Sequence, residues 1–359
     1  MTETEPGVAL QIRGLVVTGR TAGRTMPILD GIDLDLRSGE ILGVVGESGS
    51  GKSTLCRAIA RRLPSGLTIQ AGTIRMGSMD VLRVRPSQLH QMPAGGVRMV
   101  FQNPMTALNP VMTVGDQCVE AARARNRMSR SAALARSVEI LERMGVKNAA
   151  SRMKDYPYQF SGGQRQRIVI SIALAGDPAV LLADEPTSAL DVSTQASLLE
   201  LIKEISAERQ TSVLFVSHNY AVVSQLCTRV LVLYAGQMME LGPSRTLLAE
   251  SRHPYTSALI ASLPSIETRV ARLPAIPGQP PATGQVPDGC PFWPRCPHAD
   301  DGCDSGPVPM REIAQGHSTA CKRAEAIWPT QACRADADGP VPADGQGGDA
   351  KFANPEVSP

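Results

Sequence analysis

Gly46-Glu-Ser-Gly-Ser-Gly-Lys-Ser53 is the most informative segment of this 359-residue sequence. It matches the pattern G-x-x-x-x-G-K-[ST], in which backbone N–H groups of a glycine-rich turn converge on the phosphates of a nucleotide. An apolar run, Ile41–Val45, precedes it, and a helix is predicted to follow from about Lys52 to Arg62. A strand, a loop and a helix in this order are the context that a phosphate-binding loop requires, and they disfavour an ordinary glycine-rich turn.

The segment supplies ligands both for a nucleotide and for its metal ion. Lys52 is expected to reach the β- and γ-phosphate oxygens, and Ser53 to bind Mg²⁺. Thr54 and the start of the helix add the helix dipole, which stabilises an anion. The residues predicted to bind the nucleotide here are Gly46, Ser48, Gly49, Gly51, Lys52, Ser53 and Thr54.

Two adjacent acids, Asp184 and Glu185, follow a second apolar strand predicted at Val180–Ala183. Ligands of open α/β sheets bind at the carboxyl ends of the strands, which is where this pair would lie. Asp184 suits Mg²⁺ coordination, and Glu185 suits orienting and deprotonating an attacking water. A strand that ends in a solvated turn would have the same sequence pattern. The phosphate-binding loop upstream is what favours a catalytic and metal-binding role for the two acids.

Ser161-Gly-Gly-Gln164 lies between these two segments and begins another predicted helix. Such a turn is either a simple helix N-cap or a second anion-binding helix terminus. Two phosphate-binding termini far apart in one chain suggest that each serves a different ATP molecule.

The remaining pattern indicates an α/β protein. Apolar strands are predicted at 212–216 and 230–234, an amphipathic helix at 192–209, and a mostly helical stretch at 104–160. Strands that alternate with helices predict a mainly parallel sheet covered on both faces.

In this order the segments resemble the nucleotide-binding domain of ABC transporters, a P-loop NTPase fold, over about residues 8–245. Gly46–Ser53 is similar to its Walker A loop, Val180–Glu185 to its Walker B strand, and Ser161–Gln164 to its signature within a helical subdomain at about 104–172. Three further matches are Gln102 to the Q-loop glutamine, Ser188–Asp191 to the D-loop, and His218 to the switch histidine.

The resemblance implies an ATPase that works with Mg²⁺ as a head-to-tail dimer. Ser161, Gly163 and Gln164 would act on the nucleotide of the second ATPase subunit. Gln102 would sense the γ-phosphate, bind Mg²⁺ and contact a membrane subunit, and His218 would hold the γ-phosphate and Glu185 in register. The family usually has an aromatic side chain near residue 19 to stack on adenine, which is absent here, and Arg20 could stack instead.

A C-terminal extension at 246–330 carries a second resemblance. His253-Pro-Tyr-Thr256 and Gly289-Cys-Pro-Phe-Trp-Pro-Arg-Cys-Pro-His298 resemble segments of the ATPases of oligopeptide, dipeptide and nickel importers. This implies import of a peptide or related small solute. The implied partners are two integral membrane permeases, a second ATPase subunit and an extracytoplasmic solute-binding protein, with this chain peripheral on the cytoplasmic face of the membrane.

Four cysteines crowd the extension with the spacing Cys290-x5-Cys296-x6-Cys303-x17-Cys321. Thiols of a cytosolic protein rarely form a disulfide framework, and a zinc site usually contains a C-x2-4-C pair. Proline after Cys290 and after Cys296 is typical of iron–sulfur ligation. We therefore predict a [4Fe–4S] cluster, with zinc or no metal as alternatives. Cys56, Cys118 and Cys227 are expected to be buried as small hydrophobic residues.

Composition limits the remaining possibilities. Apolar residues make up 42% of the sequence and the net charge is +2, which disfavours a nucleic-acid binder that relies on a strong basic field. No secretory signal or membrane-spanning run is evident.

The alternative function is a soluble, non-transport ABC ATPase that acts on nucleic acid or the ribosome. Residues 331–359 are polar, glycine-rich and proline-rich, and are expected to be disordered.

Overall fold

The computed structural model describes residues 7–21, 23–85, 92, 95–124, 128–187, 192–263, 275–282 and 284–328. The chain divides into two compact units, Met1–Lys322 and Arg323–Pro359. The tail at 331–359 that is expected to be disordered, with the eighth cysteine, Cys333, lies outside the described residues.

The elements alternate along most of the chain as the sequence predicts. The strands are β1 (Val8–Thr21), β2 (Arg24–Arg37), β3 (Ile41–Val45), β4 (Leu67–Met76), β5 (Met79–Asp80), β6 (Val97–Val100), β7 (Val180–Asp184), β8 (Ser212–Val216), β9 (Arg229–Tyr234), β10 (Gln237–Pro243), β11 (Arg311–Ala314) and β12 (His317–Thr319). The helices are α1 (Lys52–Ile59), α2 (Pro104–Ala107), α3 (Val114–Arg123), α4 (Arg130–Arg143), α5 (Ala149–Arg152), α6 (Gly162–Ala175), α7 (Val192–Arg209), α8 (Tyr220–Leu226), α9 (Ser244–Glu250), α10 (Pro254–Ala261) and, in the second unit, α11 (Ala324–Ile327).

The larger sheet has the strand order β11-β12-β10-β9-β3-β8-β7-β6. From β9 to β6 the strands are parallel, which confirms the predicted mainly parallel α/β sheet. Strands β10, β12 and β11 continue it in antiparallel pairing, which the sequence did not indicate. A separate antiparallel sheet has the order β2-β1-β4-β5.

Alternate residues of the central strands belong to two different hydrophobic cores. Ile41 and Val45 of β3 pack with the first core, which includes residues of α3, α4, α6, α7 and α8. Leu42 and Val44 pack with the second, which includes residues of α1 and of the smaller sheet. Because successive side chains of a strand point to opposite faces, both faces of the parallel sheet are covered.

Two predicted helices can be compared closely with the structure. Helix α7 has the predicted bounds. Helix α1 ends at Ile59 rather than near Arg62, because Arg61 has a φ of 54°, outside the helical region. As expected, Leu55 and Ile59 of α1 are buried.

The C-terminal extension contributes strand β12 to the larger sheet through its pairing with β10. At this junction the Nε2 atom of His317 lies 2.7 Å from Oε1 of Glu240. Both residues are buried, and the same oxygen accepts a hydrogen bond from the backbone N–H of Arg252. The extension is therefore held to the sheet by a buried polar contact as well as by strand pairing.

We expect His317→Ala to lower the free energy of unfolding by about 3 kcal/mol, because His317 is the side-chain partner of the buried Glu240 carboxylate and removing one member of a buried pair is strongly destabilising. Urea denaturation of the full chain measures this. Ser318→Ala, a change at the next, half-buried position of the same strand, is the control and is expected to have an effect below about 1 kcal/mol. An equally small effect of His317→Ala would contradict this account of the junction.

Candidate active site

The glycine-rich loop connects β3 to α1, as predicted. Gly51 precedes the helix with a φ of 102°, a conformation that favours glycine. Gly46 passes so close to β9 that a Cβ atom there would lie 2.1 Å from the carbonyl oxygen of Leu233. Glycines at these two positions are therefore required by the path of the backbone itself.

Lys52 holds the loop in a tight curve. Its Nζ atom donates to the carbonyl oxygens of Gly46 at 2.8 Å and Glu47 at 2.7 Å, and to Oγ of Ser50 at 3.2 Å. Burial lowers the pKa of Lys52, while the nearby carboxylates of Glu185, Asp184 and Glu47 act in the opposite direction. The ammonium group is thus buried at the centre of the loop, where the phosphates of a nucleotide would bind.

Ser53 and Asp184 meet although they are far apart in sequence. The Ser53 hydroxyl donates to Oδ1 of Asp184 at 2.8 Å. Burial raises the pKa of Asp184, and the Ser53 hydrogen bond only partly offsets this. A hydroxyl and a carboxylate side by side are the hard oxygen ligands that Mg²⁺ prefers, so the pair fits the predicted metal site.

We expect Asp184→Asn to raise the melting temperature of the nucleotide-free protein while lowering Mg²⁺-dependent ATP hydrolysis at least about 100-fold. A raised pKa means that the ionised carboxylate is disfavoured in the folded state. The advantage of the variant should therefore be largest near neutral pH and shrink as the pH falls toward about 4, the ordinary pKa of an aspartate in the unfolded chain. Thermal unfolding in magnesium-free buffer across this range measures it. A variant less stable than the parent near neutral pH would contradict the argument.

Glu185 lies between two of the other predicted site residues. Gln102 Nε2 donates to its Oε2 atom at 2.7 Å, and Nδ1 of His218 lies 3.2 Å from its Oε1 atom. Its backbone has a φ of 47°, uncommon for a glutamate, and its N–H donates to the carbonyl of Val216 at 3.0 Å. The structure thus brings together three residues that the sequence places well apart, and contacts to both carboxylate oxygens fix the side chain.

The predicted signature lies at the N-terminus of α6. Ser161 caps the helix: its Oγ accepts from the backbone N–H of Gln164, whose side-chain oxygen accepts from the N–H of Ser161. The structure therefore confirms that Ser161 is the N-cap of α6. Ser161 and Gly162 are exposed, and Gly163 and Gln164 are half-buried. The first turn of this helix is accessible from outside the chain.

Arg20 and the D-loop are the remaining predicted features of the site. Arg20, the residue that could stack on adenine, lies exposed near the end of β1. The predicted D-loop, Ser188–Asp191, lies outside the described residues.

Two residues of the C-terminal extension contact the phosphate-binding loop, and the sequence did not indicate either of them. The backbone N–H of Glu47 donates to the hydroxyl of Tyr255 at 2.8 Å. The guanidinium of Arg295 donates to both carboxylate oxygens of Glu47, at 2.7 and 3.0 Å. Both residues belong to the segments that carry the second resemblance, which is the signal that could have marked them.

The described structure does not show the predicted metal site among the cysteines of the extension. The N–H of Cys290 donates to the carbonyl of Cys303 at 2.9 Å. Burial raises the pKa of Cys290 to about 11, with smaller contributions from Cys296 and Cys303. Nevertheless, no group of three or more His, Cys, Asp or Glu side chains within the described residues is arranged to hold a metal ion. The described residues therefore give no support for a [4Fe–4S] cluster or zinc at Cys290, Cys296, Cys303 and Cys321.

Three further cysteines, Cys56, Cys118 and Cys227, are buried, as predicted. Across the parts of the chain that the structure describes, no helix is both long enough and apolar enough to cross a membrane.

Three family models match the chain, one of which, described as AAA domain, putative AbiEii toxin, Type IV TA system, covers residues 154–224. The model described as ABC transporter covers residues 29–188, and the model described as oligopeptide/dipeptide transporter, C-terminal region, covers residues 239–303. The oligopeptide/dipeptide match spans both segments of the extension that approach the phosphate-binding loop.

Among solved structures, the chain is similar to the ATP-binding cassette MJ0796 in its dimeric post-hydrolysis state bound to ADP and Pi. The TM-score is 0.59 at 26% identity, and the match covers 66% of this chain and 99% of that one. It confirms the ATP-binding cassette fold.

Curated relatives match over most of their length. The oligopeptide transport ATP-binding protein OppD of Escherichia coli (strain K12) is 38% identical over 89% of this chain and 95% of its own. The dipeptide transport ATP-binding protein DppD of Bacillus subtilis (strain 168) is 42% identical over 82% of this chain and 88% of its own. The chain therefore belongs to the ATP-binding subunits of ABC transporters, as an ABC-type ATPase of the oligopeptide/dipeptide transporter family.

Proposed function

We propose that this chain binds and hydrolyses ATP to power an ABC importer of peptides or a related small solute. The observation that carries the proposal is the convergence of Gln102 and His218 on Glu185. This cluster of three side chains lies at the end of β7. Asp184, the last residue of that strand, accepts a hydrogen bond from Ser53 of the phosphate-binding loop. Peptide as the solute class is supported by the names of the relatives and by the matching C-terminal region.

In this proposal Glu185 is the general base that takes a proton from the attacking water. His218 holds the carboxylate and the γ-phosphate in register, and Gln102 senses the γ-phosphate. Lys52 binds the β- and γ-phosphates. Ser53, Asp184 and Gln102 would hold Mg²⁺, which when bound neutralises charge that develops on the phosphates.

We further propose that Ser161, Gly163 and Gln164 bind the nucleotide of a second ATPase subunit, either another copy of this chain or a paralogue. Support comes from the exposure of this helix N-terminus, which suits an anion. At Gly162 a Cβ atom would meet nothing within 4 Å, so packing inside this chain does not require glycine there. The similar cassette MJ0796 is dimeric in its post-hydrolysis state, which also favours a paired arrangement.

The proposed membrane partners are two permease subunits, with an extracytoplasmic binding protein that delivers the solute. Large apolar side chains are exposed in the segments that follow Gln102 and precede α6 in the sequence: Met105 at 60%, Val111 at 80% and Tyr158 at 68%. Exposed apolar patches of this kind mark protein interaction sites. Docking there would place the chain peripherally on the cytoplasmic face of the membrane.

Purification of the tagged full-length chain from its native membranes tests this proposal. We expect two integral membrane proteins and a second ATPase to co-purify, and both Met105→Glu and Tyr158→Glu to weaken that association. Leu248→Glu, which changes an apolar residue exposed elsewhere, is the control. Recovery with ribosomes or nucleic acid in the soluble fraction would instead support the non-transport alternative, which the similarity to peptide importers does not favour.

The domain limits of 8–245 and 246–330 and the [4Fe–4S] cluster also remain predictions. Iron and acid-labile sulfide analysis of protein purified without oxygen tests the cluster directly. About four of each per chain would support it and would require the cysteines to rearrange. Their absence would leave the cysteines as packing residues of the extension.

A further inference from the structure

Glu47, the second residue of the phosphate-binding loop, has each of its polar groups bound. Its carbonyl oxygen accepts from Lys52 Nζ at 2.7 Å, and its N–H donates to Tyr255 at 2.8 Å. Its carboxylate accepts two hydrogen bonds from Arg295, 248 residues away. The extension is thus connected, through one residue, to the lysine expected to bind phosphate.

Arg295 is held firmly in this position. Its Nε atom donates to the carbonyl of Pro277 at 2.7 Å, and Nη1 donates to the hydroxyl of Tyr234 at 3.0 Å. Its side chain is only 5% exposed, against 23% for Glu47. A planar guanidinium that binds a carboxylate with two bonds fixes both distance and orientation, so this pair differs from a mobile surface ion pair.

The groups around the pair form a rigid support. The rings of Tyr234, Tyr255 and Phe292 lie with centroids 4.6 to 5.5 Å apart, and all three residues are buried. Tyr234 belongs to β9, whereas Tyr255 and Phe292 belong to the extension. The aromatic cluster therefore joins the extension to the sheet beside the loop.

The sign of the charge on Glu47 matters for binding. A carboxylate in a loop that receives a triphosphate would repel that ligand, since like charges in a partly buried site interact strongly. Arg295 neutralises the carboxylate without taking the place of a phosphate ligand. Removing Arg295 would leave the negative charge and would also free the loop at Glu47.

We infer that Arg295 is a positioning residue for ATP binding: by neutralising and fixing Glu47, the C-terminal extension sets the affinity of the phosphate-binding loop for nucleotide. The inference rests on ATP as the ligand of this loop. Turnover and ATP binding by the parent chain in the same assays test that premise separately.

Kinetics of ATP hydrolysis by the full-length chain, together with calorimetric binding of a non-hydrolysable ATP analogue, test the inference. Arg295→Gln is expected to raise KM and the analogue's Kd about 5- to 20-fold, with kcat within about twofold of the parent. Arg295→Lys, which keeps the charge but loses the two-bond geometry, is expected to have a smaller effect.

The double variant Glu47→Gln/Arg295→Gln separates positioning by charge from simple support of the fold. Because it also removes the repelling carboxylate, it is expected to restore KM to within about threefold of the parent. If KM stays as high as in Arg295→Gln, or if Arg295→Gln leaves KM unchanged, the inference is overturned. Thermal unfolding of each variant shows whether it is folded.

If Arg295→Gln does not fold, the single variant Glu47→Gln tests the inference instead. It is expected to lower KM, because the repelling carboxylate is gone and the positive charge of Arg295 then lacks its partner; a KM equal to or above that of the parent overturns the inference. The matched control is Arg143–Glu208, a two-bond pair with distances of 2.8 and 2.9 Å that links α4 to α7. Arg143→Gln is expected to leave KM for ATP unchanged.

Discussion

Glu185→Gln is expected to lower kcat for ATP hydrolysis by about 100- to 10,000-fold while leaving ATP binding intact. The amide keeps the size of the side chain but cannot accept the proton of the attacking water. ATP should therefore remain bound, and the ATP-bound dimer should accumulate. Phosphate release and the amount of retained nucleotide per chain measure the two effects.

The control for this experiment is Glu200→Gln, which changes an exposed acid on α7. It should retain the parental rate. If Glu185→Gln also hydrolysed ATP at that rate, Glu185 would not be the base, and its contacts with Gln102 and His218 would have to serve another purpose.

Lys52→Ala is expected to weaken ATP binding at least about 100-fold and to abolish measurable hydrolysis, because a buried ammonium at the centre of the loop is lost. The loop carbonyls of Gly46 and Glu47 also lose their donor. Calorimetric titration with ATP and Mg²⁺ measures binding. Lys203→Ala, an exposed lysine on α7, is the control. Retained tight binding by Lys52→Ala would exclude this loop as the nucleotide site.

Local patterns were enough to predict the centre of the fold. The loop between β3 and α1 and the acids that follow β7 each lie within a few consecutive residues, so the pattern of residue types reveals them. The predicted parallel sheet follows from apolar strands that alternate with helices. The positions of Gln102 and His218 followed from family resemblance, since neither has a local pattern that is informative alone.

The features that the sequence did not indicate depend on contacts between distant residues. Strand β12 has three residues, too few to show a periodic pattern, and its position depends on pairing with β10. The contact of Arg295 with Glu47 spans 248 residues. The cysteine spacing, in contrast, predicts a cluster that the arrangement of the side chains does not support, because ligand geometry depends on the fold of the whole extension.

The most direct test of the central claim, that ATP hydrolysis at this site powers peptide import, measures uptake and hydrolysis in the same vesicles. Proteoliposomes would contain the two permeases, the second ATPase and this chain, with binding protein and a labelled peptide on the extracytoplasmic side of the permeases and ATP on the other. We predict that peptide stimulates phosphate release, that peptide crosses the membrane only with ATP, and that Lys52→Ala in this chain abolishes both. Peptide transport that persists with Lys52→Ala, or ATP hydrolysis that peptide does not stimulate, would contradict the account.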